Sequence, residues 1–326
     1  MQPFRYAEAG NVPAAIDLVS TQGAMFIAGG TDMVQLLQEN VLTPETLVGI
    51  GRLPLAGVDV DADGARIGAT ARLSAVADDA RIQQHFPLLA EALLATASPQ
   101  VRNMATVGGN LLQRTRCLYF RDRAAPCNKR QPGSGCGAMD GQNRMNAIFG
   151  GSPTCIAAYP GDLAVALVAL DATVDVRGRQ GSRLIKAADL HMPPGDTPQT
   201  ETSLRPDEII AALRIPHNGF AARSHYLKVR DRASFEWALV SVAVGLDLDG
   251  DGVRGARIVA GGVGTVPWRL RNAEQRLDGR RLDRQSAHAA GQAAGEGADP
   301  RPGNAYKVRL LQNAVERALM IAGGLL

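Results

Sequence analysis

The sequence is short of aromatic residues, of net charge and of long apolar runs. Phe, Trp and Tyr make up 4% of its 326 residues, too few for the stacking platforms that bind single-stranded nucleic acid. The formal net charge of +3 is too small an excess to point to a nucleic-acid partner. The longest apolar stretch runs from Leu163 to Leu170. It falls far short of the ~20 residues that span a bilayer, so no membrane insertion is expected. The opening residues, MQPFRYAEAG, hold neither an apolar h-region nor twin arginines. No export signal of the chain's own is read there. Cysteine is missing from most of the chain. All four, Cys117, Cys127, Cys136 and Cys155, lie in one short window, whereas a fold that merely tolerates cysteine scatters it through its cores.

What is present is an ordinary globular balance of 45% hydrophobic and 21% charged residues, in a chain long enough for two or three domains. Residues 1–52 read as a small α/β unit: a helix at 12–20, a strand at 25–28, a Gly29-Gly30 turn, a helix at 31–39 and a strand at 46–50. Residues 53–216 read as a second unit. It has short strands at 57–60 and 66–69, a helical stretch at 73–97 interrupted near Pro87, a buried helix at 162–170, and strands at 173–176 and 208–215. Within it, residues 114–156 have little apolar periodicity and read as a long ordered insertion, which needs something to hold it. Residues 217–326 read as a third unit, with strands at 224–229, 239–248 and 257–263 before helices at 268–277, 284–295 and 305–322. Strands followed by helices indicate an α+β layer. The fold class expected for the whole chain is α+β with α/β parts.

Two glycine pairs follow one pattern. Ile27-Ala-Gly-Gly-Thr-Asp32 is a strand, a turn and a helix start. Free backbone N–H groups at such a turn suit a phosphate, although a plain turn with Thr31 or Asp32 as helix cap explains the residues equally well. Thr106-Val-Gly-Gly-Asn110 is a second pair, where missing side chains let a ligand approach the backbone. Together the two turns would clamp the ends of one dinucleotide. Neither matches G-x-G-x-x-G, which disfavours a standard NAD fold.

The order Ala28-Gly-Gly-Thr-Asp32, Ala105-Thr-Val-Gly-Gly-Asn110, Pro160-Gly-Asp162 and Gly261-Gly-Val-Gly-Thr-Val-Pro-Trp-Arg269 resembles the FAD-binding medium subunit of the xanthine dehydrogenase, or molybdenum hydroxylase, family. The resemblance runs over nearly the whole chain. It implies a two-part FAD-binding domain followed by a C-terminal domain of the carbon monoxide dehydrogenase flavoprotein type. It implies FAD contacts at Ala28, Gly29, Gly30, Thr31, Asp32 and Met33 for the pyrophosphate, and at Thr106, Gly108, Gly109 and Asn110 for the flavin and its ribityl side. It further implies a hydrogen bond from Asp162 to FAD, Ile210 packed on the isoalloxazine, and Lys228 near the ring. Read without the resemblance, these last three are a helix cap, a core residue and an edge-strand charge.

The cysteine spacing, C-x9-C-x8-C-x18-C, has neither the paired knuckles of zinc sites nor the tighter runs of ferredoxins. Spacing alone therefore names no metal, and disulfides are the rival reading, disfavoured in a chain of this size without an export signal. From Arg114 to Arg130 there are six cations (Arg114, Arg116, Arg121, Arg123, Lys129, Arg130) and one anion, Asp122. Such surroundings, with Gly133, Gly135 and Gly137 as amide donors, would favour an anionic centre. The run Cys127-Asn-Lys-Arg-Gln-Pro-Gly-Ser-Gly-Cys136, with Gly141-Gln-Asn-Arg-Met145 and Cys155-Ile-Ala, resembles the flavin subunit of bacterial periplasmic aldehyde oxidoreductase. That likeness implies a [4Fe–4S] cluster on all four cysteines.

The resemblance implies an electron-transfer subunit with no acid–base catalyst of its own. Its partners would be a large subunit with the molybdenum cofactor and a small subunit with [2Fe–2S] clusters, and it would pass electrons through FAD to an external acceptor. A 4-hydroxybenzoyl-CoA reductase-like enzyme is the alternative within the family, and a non-redox zinc-containing binding protein the alternative outside it. Assembly in the cytoplasm is expected, with co-export on a partner's signal left open.

Overall fold

The computed structural model covers residues 1–326 and builds the chain around three sheets. The first has three parallel strands, β1 (Arg5–Glu8), β2 (Ala24–Ile27) and β3 (Thr46–Gly49), in the order β1-β3-β2. Helix α1 (Val12–Val19) begins where Asn11 accepts the Ala14 amide and Pro13 sits in the first turn, both good helix starts. Helix α2 (Met33–Gln38) follows the Gly29-Gly30 turn and buries Leu36 and Leu37. Strand β1 is an addition to the expected elements. Its sequence, RYAE, lies on an edge and is mostly exposed, so it shows no apolar alternation.

The second sheet is antiparallel. It contains β4 (Val58–Val60), β5 (Gly64–Gly68), β6 (Thr173–Gly178), β7 (Gly181–Lys186) and β8 (Ile209–Pro216), in the order β4-β5-β8-β6-β7. Strand β7, also unexpected, closes a tight hairpin in which Gly181 adopts a φ of +100°. The helical stretch after residue 72 is three helices rather than one broken once: α3 (Leu73–Ala77), α4 (Ala80–His85) and α5 (Pro87–Ala95). Asp79 makes the extra break by capping α4 through the Arg81 and Ile82 amides. Helices α6 (Pro99–Arg102) and α7 (Val107–Leu111) lead into the cysteine segment, and α8 (Leu118–Arg121) lies within it. Beyond it, every residue of α9 (Asp162–Ala169) is buried, and α10 (Ala187–Leu190) follows β7.

After α11 (Gly219–Ala222), the third sheet is an antiparallel meander of β9 (Ser224–Val229), β10 (Val240–Asp249), β11 (Gly252–Gly261) and β12 (Trp268–Arg269). Its apolar face packs on α13 (Arg284–Ala293) and α14 (Tyr306–Ala322), with α12 (Arg271–Gln275) beside them. The helix expected from residue 268 therefore starts later, because Trp268 and Arg269 pair with Ala260 and Val259. Helix α9 packs against both α5 and the back of β10 and β11, which joins the second and third layers. No helix is long and apolar enough to cross a membrane.

Candidate cofactor sites

The β2–α2 turn presents a row of backbone donors without partners. The backbone N–H groups of Ala28, Gly29, Gly30, Thr31, Asp32 and Met33 make no hydrogen bond within the protein. Six consecutive free donors in a half-buried turn form a nest for negative charge. Gly30 adopts a φ of +73°, where a side chain would be strained. Gly29 is required by packing, since a Cβ there would lie 2.0 Å from the Met104 carbonyl oxygen. Arg72 donates to that same carbonyl, so the turn is pressed against the segment that leads into the second glycine pair.

Asp32 does not oppose an anion in this turn. Its carboxylate accepts the Arg114 amide at 2.8 Å and the Arg121 guanidinium at 2.9 Å, and it pairs with Arg116. Burial raises the Asp32 carboxyl, but Arg116, Arg121 and the Arg114 amide outweigh it and hold the group below the usual carboxylate range.

The second glycine pair differs from the first. It is the start of helix α7 rather than a turn after a strand, and Thr106 caps the Gly109 amide. The Val107 and Gly108 amides donate to Ala71 and Ala69, and Asn110 donates to Thr106. No nest is left there. What remains is the exposed backbone of Gly109 and the buried Asn110 Oδ1, which has no partner. A buried acceptor without a donor is a group that a ligand would satisfy.

Asp162, Lys228 and Ile210 lie deeper. The Asp162 and Lys228 side chains are only 2% and 3% exposed and form an ion pair of 2.8 Å. Tyr226 Oη donates to Asp162 at 2.7 Å, Thr96 Oγ1 approaches it at 3.3 Å, and Lys228 also donates to the Ala95 carbonyl. The pair ties α9 to β9 and to the end of α5. Lys228 is thus neither exposed nor free, although β9 is an edge strand. Ile210 is 4% exposed in the core under β8.

All four cysteines are unpaired thiols. Cys127 and Cys136 face each other across an antiparallel bridge, and Cys155 bridges to Ser152. Cys117 caps α8 and accepts a hydrogen bond from Asn146 Nδ2, 3.6 Å away; the Ala157 amide lies 3.5 Å from Cys155 Sγ. Burial pushes the Cys117 thiol up, opposed by Asn146 and the Phe120 and Tyr119 amides and reinforced by Cys127. Burial pushes Cys155 up to about 11; Lys129 opposes this, while the Cys136 and Cys117 thiols reinforce it. Cys117 thus lies within electrostatic reach of Cys127, and Cys155 within reach of Cys136 and Cys117. No three Cys, His, Asp or Glu side chains are grouped to hold a single metal ion. A cuboidal cluster takes its four thiolates on four separate irons, a wider set than one zinc with Zn–S bonds of about 2.3 Å. Four free thiols on one segment are the kind of donor set such a cluster takes.

The basic residues around the cysteines mostly serve the loop itself. Arg130 donates to the carbonyls of Tyr119, Phe120 and Ala125. Arg114 pairs with Glu201, Arg121 serves Asp32, and Arg116 lies 4.2 Å over the Trp237 ring. Lys129 acts on Cys155, and it is shared with Glu201 at 3.0 Å. Glycine amides are spent as well: Gly135 donates to Asn128 Oδ1 and Gly137 to the Pro126 carbonyl. The expected halo of free donors is therefore narrower than the composition implies, because a loop with so little regular structure needs its own polar groups to satisfy its carbonyls.

With this geometry in view, comparison with known proteins is decisive. Residues 2–218 match the FAD binding domain in molybdopterin dehydrogenase, and residues 225–322 match the CO dehydrogenase flavoprotein C-terminal domain. The chain belongs to the molybdenum hydroxylase flavin-subunit family. It is 43% identical to the aldehyde oxidoreductase FAD-binding subunit PaoB of Escherichia coli, over 98% of both chains. It is 30% identical to the 6-hydroxypseudooxynicotine dehydrogenase complex subunit alpha of Paenarthrobacter nicotinovorans, over 97% of this chain and 93% of that one. Among solved structures, the carbon monoxide dehydrogenase of Hydrogenophaga pseudoflava matches with a TM-score of 0.77 and 25% identity, covering 99% of this chain and 98% of that one. Quinoline 2-oxidoreductase from Pseudomonas putida shares the fold at the same TM-score and 22% identity.

Membership in this flavin-subunit family leaves a non-redox zinc protein without support. The last glycine motif of the sequence has a physical task of its own. In Gly261-Gly-Val-Gly264, the Val263 carbonyl accepts the Ile148 and Phe149 amides, and the Gly264 carbonyl accepts the Tyr159 amide. The motif thus docks the returning end of the cysteine segment onto the C-terminal domain. Sequence reasoning missed Trp237, Tyr226, Asn146 and Lys307. Each is a single residue outside any motif, with a role set by a contact distant in sequence.

Proposed function

We propose that the chain carries FAD and a [4Fe–4S] cluster as the electron-transfer subunit of a molybdenum-containing aldehyde oxidoreductase. In this reading it works in a heterotrimer with a molybdenum-cofactor large subunit and a [2Fe–2S] small subunit, and serves an external electron acceptor. The carrying observation is the juxtaposition of two features through Asp32: a turn with six free amides, and a segment with four unpaired cysteines. The relative named for aldehyde oxidation, alike over 98% of the chain, supports the choice of substrate class.

FAD supplies the ability to take up and release electrons singly or in pairs. The chain's part is to hold and orient it. The amides of Ala28 to Met33 hold the pyrophosphate, and Asp32 is kept out of the way by two guanidiniums. Thr106 fixes the start of α7, Gly108 lets that helix sit against Ala69, Gly109 offers bare backbone, and Asn110 offers its free oxygen to the flavin side. Asp162, Lys228 and Ile210 serve FAD from beneath, by fixing α9, β9 and β8. Cys117, Cys127, Cys136 and Cys155 ligate the cluster.

The test is to isolate the complex and assay it with aromatic aldehydes and a dye acceptor, and separately with a 4-hydroxybenzoyl-CoA-type thioester and a reductant. Aldehyde turnover that disappears when the flavin is stripped and returns with FAD supports the reading. Thioester reduction without aldehyde oxidation would hand the function to the reductase-like alternative.

A further inference from the structure

Lys307, on α14, is the one lysine whose whole side chain is enclosed in the C-terminal core, at 0% exposure. Its ammonium donates to two carbonyls, Gly262 O at 2.6 Å and Asn146 O at 3.0 Å, and to no carboxylate. The other charge that acts on it, Arg144, is also positive. Burial, with Arg144 adding to it, lowers Lys307 to about 7. A fully buried cation without an anion is costly, and such groups are paired or bound to a negative centre. The residue that receives Lys307 is also the residue that touches the cysteine site. Asn146 accepts from Lys307 and from Asn304 through its carbonyl, while its Nδ2 donates to Cys117 Sγ and to the Ile156 carbonyl. A polar chain therefore runs from Lys307 through Asn146 to a cysteine sulfur, with its far end clamped to the Gly262 carbonyl.

We propose that Lys307 is a positioning residue for the iron–sulfur cluster: it supplies the buried positive charge that offsets the cluster's negative charge, and through Asn146 it holds the hydrogen bond to Cys117. This rests on the cluster reading above. Four thiolates make the cluster net negative, and the reduced state is more negative than the oxidised one. A fixed cation and a hydrogen bond to a ligating sulfur both favour the reduced state and raise the potential. The negative cluster in turn favours the ammonium form of Lys307. The bland alternative is a staple that joins α14 to the residue 146 turn and nothing more.

Two variants of the full-length chain separate these. Lys307→Gln keeps two donors for the two carbonyls and removes the charge; Lys307→Met removes both. Iron, sulfide and flavin are quantified first, and the cluster and flavin midpoint potentials are then measured by redox titration with EPR and optical detection. The expected result for Lys307→Gln is an unchanged iron and flavin content, a cluster midpoint shifted down and a flavin midpoint left where it was. Lys307→Met should shift the cluster further in the same direction; if it does not fold, Lys307→Gln alone decides. An unmoved cluster midpoint in Lys307→Gln with iron retained overturns this proposal and leaves the cluster reading standing. A wild-type chain without iron overturns both.

Discussion

At the scale of single residues, the site depends on atoms left without partners as much as on bonds made. The free Asn110 Oδ1 is one. Asn110→Ala should leave the thermal midpoint within a few degrees and weaken flavin retention about tenfold, or ~1.4 kcal/mol; flavin fluorescence released on dilution measures it. Gly29→Ala acts differently. A Cβ 2.0 Å from the Met104 oxygen forces the turn away from α7, so flavin and stability should fall together in a thermal melt. His191 is a buried group with a pH signature. Burial lowers it to about 4, while the Leu111 carbonyl and Glu201 favour its charged form less strongly. The folded value lies below the unfolded value near 6.5, so the unfolded chain binds the extra proton first, and stability is lost as pH falls through the window from about 6.5 to about 4. The loss approaches 3 kcal/mol by order of magnitude. His191→Phe should flatten that part of the acid denaturation curve; an unchanged slope would rule out His191 as its source.

At the scale of elements, the buried Asp162–Lys228 pair fastens α9 to β9. Asp162→Ala strands a buried ammonium and should cost about 3–5 kcal/mol, whereas Asp162→Leu combined with Lys228→Met should recover much of that loss. A double-mutant cycle by chemical denaturation reads it directly. Elements with strong periodicity, such as α13, α14 and β10, were readable from the residues alone, and α9 was readable as an unbroken apolar run. Strands β1 and β7 were not, since one is an exposed edge and the other a polar hairpin arm whose pairing depends on a partner strand. The glycine pairs were readable as places of close approach. Their difference was not: whether a backbone amide is free depends on tertiary acceptors such as Ala69 and Ala71, which the local sequence does not reveal. The arginines near the cysteines carried a related ambiguity, because composition counts charges and the fold assigns most of them to Asp32, Glu201 and loop carbonyls.

At the scale of the whole molecule, the flavin turn and the cysteine segment are mechanically joined. Asp32 belongs to the turn, Arg116 and Arg121 to the segment, and Trp237, under Arg116, to the third layer. Asp32→Ala should therefore lower flavin and iron content together, while Cys136→Ser should lose iron and keep flavin. Loss of flavin with iron retained in Asp32→Ala, or the reverse, would mean that the two sites are merely neighbours. The most direct test of the central claim is the cofactor content of the wild-type chain purified without oxygen. Acid-released flavin, iron and sulfide should come to about one, four and four per chain, the content of one FAD and one four-cysteine cluster. Freshly prepared protein holding neither flavin nor iron, and zinc in their place, would contradict it.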